Sequence, residues 1–76
     1  MNTIQELDRV VLTQDFPDDG LLAGDVGTAV LLHKGGALEV EVVLPTGAAL
    51  AVVTAEPGQY RPLGPGDVPH VRTLPV

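Results

Sequence analysis

The sequence predicts a single small all-β domain of five short strands. Three observations predict it. Apolar residues recur with a two-residue period, most cleanly from Ala37 to Leu44. The apolar runs are short and rich in valine. Clusters of Gly, Pro and Asp separate them at roughly ten-residue intervals, the spacing of turns in compact β-domains.

Each element follows from its residues. Arg9 to Thr13 is a β-branched run and the first strand; residues 2–8 before it are expected to form one helical turn. Asp15 to Asp25 is dense in Gly, Pro and Asp and reads as a long loop, with Leu21 and Leu22 folding back onto the rim of the core. Val26 to His33 is the second strand. Gly27 inside it predicts a bulge or a close backbone approach. Lys34-Gly35-Gly36 is a hairpin turn whose glycines supply positive φ. In the third strand, Leu38, Val40, Val42 and Leu44 share one face, and Glu39 and Glu41 lie on the other.

Pro45-Thr46-Gly47 turns the chain into a fourth strand over Ala48 to Thr54. Alanine and leucine there also suit a helix, but flanking turn signals favour the strand. Glu56-Pro57-Gly58 is a tight turn, expected as a 3₁₀ turn. Gln59 to Leu63 is a fifth strand that Pro62 places at an edge. Residues 64–76 contain Pro65, Pro69 and Pro75 and read as an extended tail, within which His70 to Leu74 is expected to pair with a sheet edge. The domain proper is thus residues 1–63. A long first loop, two tight hairpins and a late 3₁₀ turn match the order of elements in SH3-like barrels; an open β-meander or an OB-like barrel are the alternatives.

Composition limits the function. A chain of 76 residues has room for one domain. A domain of that size buries only roughly 60% of its unfolded surface. With no cysteine, neither disulfides nor thiolate metal sites are available, which suits a reducing cytoplasm. Met1 to Glu6 has no basic stretch leading into an apolar one, so no secretion signal is expected, and no apolar run reaches membrane-spanning length. Ten acids against four bases give a formal charge of −6, which repels phosphate backbones. Phe16 and Tyr60 are the only aromatic residues, too few for a base-stacking platform or a proline-peptide groove.

Catalytic and metal chemistries find little support. There is no serine, and the threonines lie on strands without a basic partner. Gly20 to Gly27 leads into a strand and lacks the Lys-Thr ending of a phosphate loop. His33 and His70 have no ligand spacing. Asp15, Asp18, Asp19 and Asp25 lack the alternating ladder and closing Glu of the best-known calcium loop, so turn formation is the expected role. Glu39 and Glu41 would stand about 6.5–7 Å apart along one strand face. That spacing suits acid–base work, but a solvated sheet face produces the same pattern. The chain is therefore expected to be no enzyme and to need no cofactor.

The pattern Asp8-x-Val10-Val11-Leu12-Thr13-x-Asp15-x-Pro17, then Gly20-Leu21-x-x-Gly24-Asp25-Val26-Gly27-Thr28-x-Val30, then Leu38-Glu39-Val40-Glu41-Val42, resembles the short bacterial proteins of domain-of-unknown-function family 4926. The resemblance covers residues 4–63 and implies a compact β-barrel. It brings no established activity and no functional residues. Members encoded beside larger proteins imply an antitoxin-like or immunity-like partner role.

The apolar excess is the positive functional signal. Hydrophobic residues make up 45% of the chain. In the second strand, Ala29 and Leu31 lie opposite Val26, Val30 and Leu32. Val43 faces outward on the third strand, and the fourth is apolar on both faces. An exposed aliphatic surface of this kind marks a partner interface, unless bulges or the tail cover it. The leading expectation is a protein-interaction module, either a homo-oligomer or the small partner of a larger protein. Leu31, Val43, Leu50 and Val52 would be desolvated, and Glu39 and Glu41 would steer a basic partner. The alternatives are a KOW-like nucleic-acid accessory domain, which would need Arg9, Lys34, Arg61 and Arg72 on one face, and a small-molecule or metal-binding barrel.

Overall fold

A computed structural model describes residues 3–75. Its elements are β1 (Arg9–Leu12), a 3₁₀ turn (Pro17–Asp19), β2 (Val26–Leu32), β3 (Leu38–Val43), β4 (Ala49–Ala55) and β5 (Tyr60–Pro62). Each strand lies within a residue or so of its predicted position. Among the described residues no helix is long and apolar enough to cross a membrane.

All pairings are antiparallel, and the five strands form one sheet in the order β4-β3-β2-β1-β5. The ladder does not close: β4 and β5 are its two edges, so the fold is a curled sheet of barrel-like order and not a closed barrel. Short turns fix the register. His33 N–H donates to Ala37 O across the first hairpin (2.8 Å), where Gly35 and Gly36 both take positive φ. The second is closed by Leu44 N–H on Ala48 O (2.8 Å). The Tyr60 hydroxyl donates to Gly36 O, bringing β5 to the β2–β3 turn.

One face of the sheet encloses the core. Val10, Leu12, Ala29, Leu38, Val40, Val42, Val53 and Ala55 are buried there, together with Leu21 from the first loop. The residues are mostly small, so the sheet must bend tightly around them. Gly27 makes that possible. A Cβ at this position would lie 2.5 Å from Val40 Cγ1 and 2.8 Å from Glu41 O, closer than atoms can pack. The close approach expected at Gly27 is therefore present, but the bulge is elsewhere. Register shifts place the extra residues at Val30 in β2 and Leu50 in β4.

Several expectations change accordingly. Ala29 belongs to the core and not to the outer face, because β2 reverses its faces only after the bulge at Val30. Leu21 is fully buried, but Leu22 is 43% exposed. The 3₁₀ turn lies in the first loop, begun by Pro17 at its first position and ended by Gly20 at φ 72°, while residues 56–59 form an ordinary turn. Phe16 and Leu21 exchange backbone hydrogen bonds of 2.9 and 3.1 Å that close this loop. Of the helical turn expected at residues 2–8, the described part is a turn closed by Asp8 N–H on Gln5 O (3.1 Å); Asn2 lies outside the described residues.

The tail forms no strand over residues 64–75. It is attached through side chains instead. Arg61 grips Asp67 with two hydrogen bonds (2.7 and 3.2 Å). Arg72 grips Asp25 the same way (2.8 and 2.6 Å) and adds a bond to Gly20 O (3.0 Å). Planar guanidinium–carboxylate pairs fix direction as well as distance. The tail thus crosses the outer surface of β1, where it borders Val11 and Val26.

Candidate functional site

The tail also borders Val43 and Leu50 at one end of the sheet; beyond it the open outer face is formed by β2, β3 and β4. The registers set its rows. Leu31, Glu39 and Thr54 form one, Thr28, Glu41 and Val52 the next, and Val43 with Ala49 a third. Leu31 is 48% exposed, Val43 52% and Val52 50%. Five of the six residues singled out from the sequence, Leu31, Val43, Val52, Glu39 and Glu41, therefore share one surface. The sixth, Leu50, is half-buried and packs against the core from the β4 bulge. The surface is aliphatic and acidic in alternation, with carboxylates between the exposed Leu and Val side chains.

Glu39 is not a free carboxylate. His33 Nε2 lies 2.6 Å from Glu39 Oε2, and the Thr54 hydroxyl donates to the same oxygen at 2.7 Å. The hydrogen bond from His33, followed by that from Thr54, holds the Glu39 carboxyl below its usual 4.5. These bonds tie the β2–β3 turn to β4 across the outer face. Nothing local in the sequence links His33 to Glu39 except their spacing of six residues around a hairpin.

Among the described residues, no three His, Cys, Asp or Glu side chains come together as a metal-binding group. Two of the four loop aspartates bond to the loop's own backbone: Asp15 accepts from Ala23 N–H and Asp25 from Leu22 N–H, each at 2.8 Å. For these two it is the turn chemistry expected of the loop. Asp25 also receives Arg72, which is the largest cause of its depression below the usual 3.8. Arg61 does the same for Asp67.

A pH dependence follows. A carboxylate whose pKa is depressed in the folded state stabilises the fold above its unfolded pKa, and that stabilisation is lost as pH falls through the folded value. For Asp25, Asp67 and Glu39 the loss begins near pH 4–5 and continues below it. The first two hold the tail. Acidification is therefore expected to free residues 64–75 before global unfolding. Amide spectra titrated from pH 7 downward check this; tail shifts unchanged until the strands themselves unfold at still lower pH would contradict it.

Comparison with known proteins gives a family and no activity. No curated protein matches the chain. No solved structure matches it either. A family model described as a domain of unknown function, DUF4926, matches residues 6–62, from just before β1 to the end of β5. That span is most of the sequence and contains every strand, so the chain belongs to the DUF4926 family.

Proposed function

We propose that this chain is a non-catalytic, cytoplasmic protein-interaction module that docks a partner on the outer face of β2, β3 and β4. The observation that carries the reading is the grouping of Leu31, Val43 and Val52, each about half exposed, on one surface beside Glu39 and Glu41. Aliphatic area of this kind gains from desolvation, and the acidic residues select a partner with a basic rim. The formal charge of −6 adds long-range steering toward such a partner. A small acidic partner of a larger protein fits this chemistry.

A nucleic-acid role has less support. Arg61 and Arg72, two of the four bases, are paired with Asp67 and Asp25 and have little charge to offer a phosphate. The Glu39–His33–Thr54 arrangement joins two sheet elements and gives no sign of a free acid–base pair.

Site-specific photocrosslinking in cells that make the protein tests the proposal. Probes at Leu31, Val43 and Val52 are expected to yield a discrete protein adduct, and probes at Asp18 and Leu22 none. Adduct-free lanes at all three face positions, or equal labelling from the loop positions, would remove the proposal.

A further inference from the structure

The two edges of the sheet are protected to different degrees. β5 is three residues long and carries Arg61 and Pro62. Short length, charge and proline are the usual means of preventing one sheet edge from joining another. β4 is seven residues long, with the sequence Ala-Leu-Ala-Val-Val-Thr-Ala, and has no charge, proline or glycine. Its hydrogen-bonded neighbour in the sheet is β3 alone. Alternate residues of an edge strand direct N–H and C=O groups away from the sheet, where they can pair with another strand. The bulge at Leu50 interrupts only the start, leaving Ala51 to Ala55 regular.

We propose that β4 pairs antiparallel with β4 of a second copy, about a two-fold axis at Val53, joining two five-stranded sheets into one. The proposal rests on the reading of the chain as an interaction module and assigns one surface of it to self-association. In this register Ala51 lies beside Ala55 of the second copy, and Val52 beside its Thr54. No charge faces a charge across the seam. Glu56 follows the end of β4, three residues from the axis, and the acids beside the strand itself, Glu41 and Glu39, sit one strand inward on β3. Across the seam they are three strand spacings from their counterparts, roughly 14 Å. That exceeds the screening length of about 8 Å at physiological salt. A neutral, self-complementary edge is where two copies of charge −6 can meet. A basic partner strand would find no charge on β4 to recognise.

Pairing one short strand buries less than the roughly 800 Å² per side of a standard interface, so the dimer is weak. Repulsion between the copies gives it a distinctive salt response: association tightens as salt rises. Sedimentation of the full chain between about 10 µM and 1 mM, at about 20 and 300 mM salt, is expected to show mass rising from 7.9 kDa toward twice that value, more readily at high salt. The double variant Val52→Lys/Thr54→Lys, at two exposed positions, should weaken the dimer at least tenfold while leaving the circular dichroism unchanged. Leu31→Lys, two strands from the seam, should leave it within about twofold. Hydrogen exchange should slow with concentration at alternate β4 amides. A dimer broken by Leu31→Lys but not by the β4 pair would overturn edge pairing and support docking on the face. A monomer throughout would overturn edge pairing alone, since the crosslinking of the face tests the broader reading independently.

Discussion

Gly27→Ala is expected to destabilise the domain by about 3 kcal/mol or more, at the upper end of what overpacking a core costs. The added Cβ would meet Val40 Cγ1 at 2.5 Å, Glu41 O at 2.8 Å and Val42 Cγ2 at 3.1 Å. A valine methyl can rotate away at some cost. The Glu41 carbonyl cannot, because it belongs to β3, which is held between β2 and β4. Relief therefore requires β2 and β3 to separate where the sheet bends around its small core. A domain of this length has on the order of 4–11 kcal/mol of stability in total, so the loss is a large fraction of it. Gly66→Ala is the control: a Cβ there meets nothing within 4 Å, and φ is not in the left-handed region. Urea denaturation should show a midpoint lowered by 2 M or so for Gly27→Ala and unchanged for Gly66→Ala. A loss under about 1 kcal/mol at Gly27 would mean that the sheet is less tightly bent than described.

Gly27 also shows how far the sequence can be read. A glycine inside a run of valines signals a close approach, and that approach is present. The alternation from Leu38 to Val42 likewise places Glu39 and Glu41 outside and the aliphatic residues inside. Strands and turns are legible because their signals are local. The bulges are not. An extra residue at Val30 or Leu50 has no signature of its own, so a two-residue template continues through it and assigns the residues on one side of it to the wrong face. Alternation carried back from Leu31 puts Ala29 outside, and carried back from Val52 it puts Leu50 on the open surface, whereas Ala29 lies in the core and Leu50 packs against it. The open ladder is equally hidden, since pairing between the two edge strands, β4 and β5, depends on curvature accumulated over the whole sheet. The position of the 3₁₀ turn was ambiguous because Pro17-Asp18-Asp19 and Glu56-Pro57-Gly58 present similar turn chemistry. The tail attachment depends on Asp25 and Arg72, separated by 47 positions, with no local signal to connect them.

Leu21→Ala is expected to cost about 2–5 kcal/mol, and Leu22→Ala less than about 0.5. The two leucines are adjacent, chemically identical and equally placed in a loop rich in Gly and Asp. Their environments separate them: Leu21 is fully buried and Leu22 is 43% exposed. Leu21 is held inward by its paired hydrogen bonds with Phe16, so it enters the core as though it belonged to a strand. Truncation removes three carbon atoms from a site lined by β-strand residues that have little freedom to collapse into the space. Leu22 contributes its backbone N–H to Asp25, and alanine retains that bond. The loss at Leu21 should also appear locally. With its anchor weakened, the loop from Asp15 to Asp25 should exchange its amides faster, and Arg72 should hold less firmly because Gly20 O and Asp25 are both its partners. Thermal denaturation combined with hydrogen exchange separates the outcomes. Equal losses for the two variants would show that Leu21 does not enter the core. A large loss at Leu21 with the tail amides unchanged would show that the loop holds the fold without holding the tail.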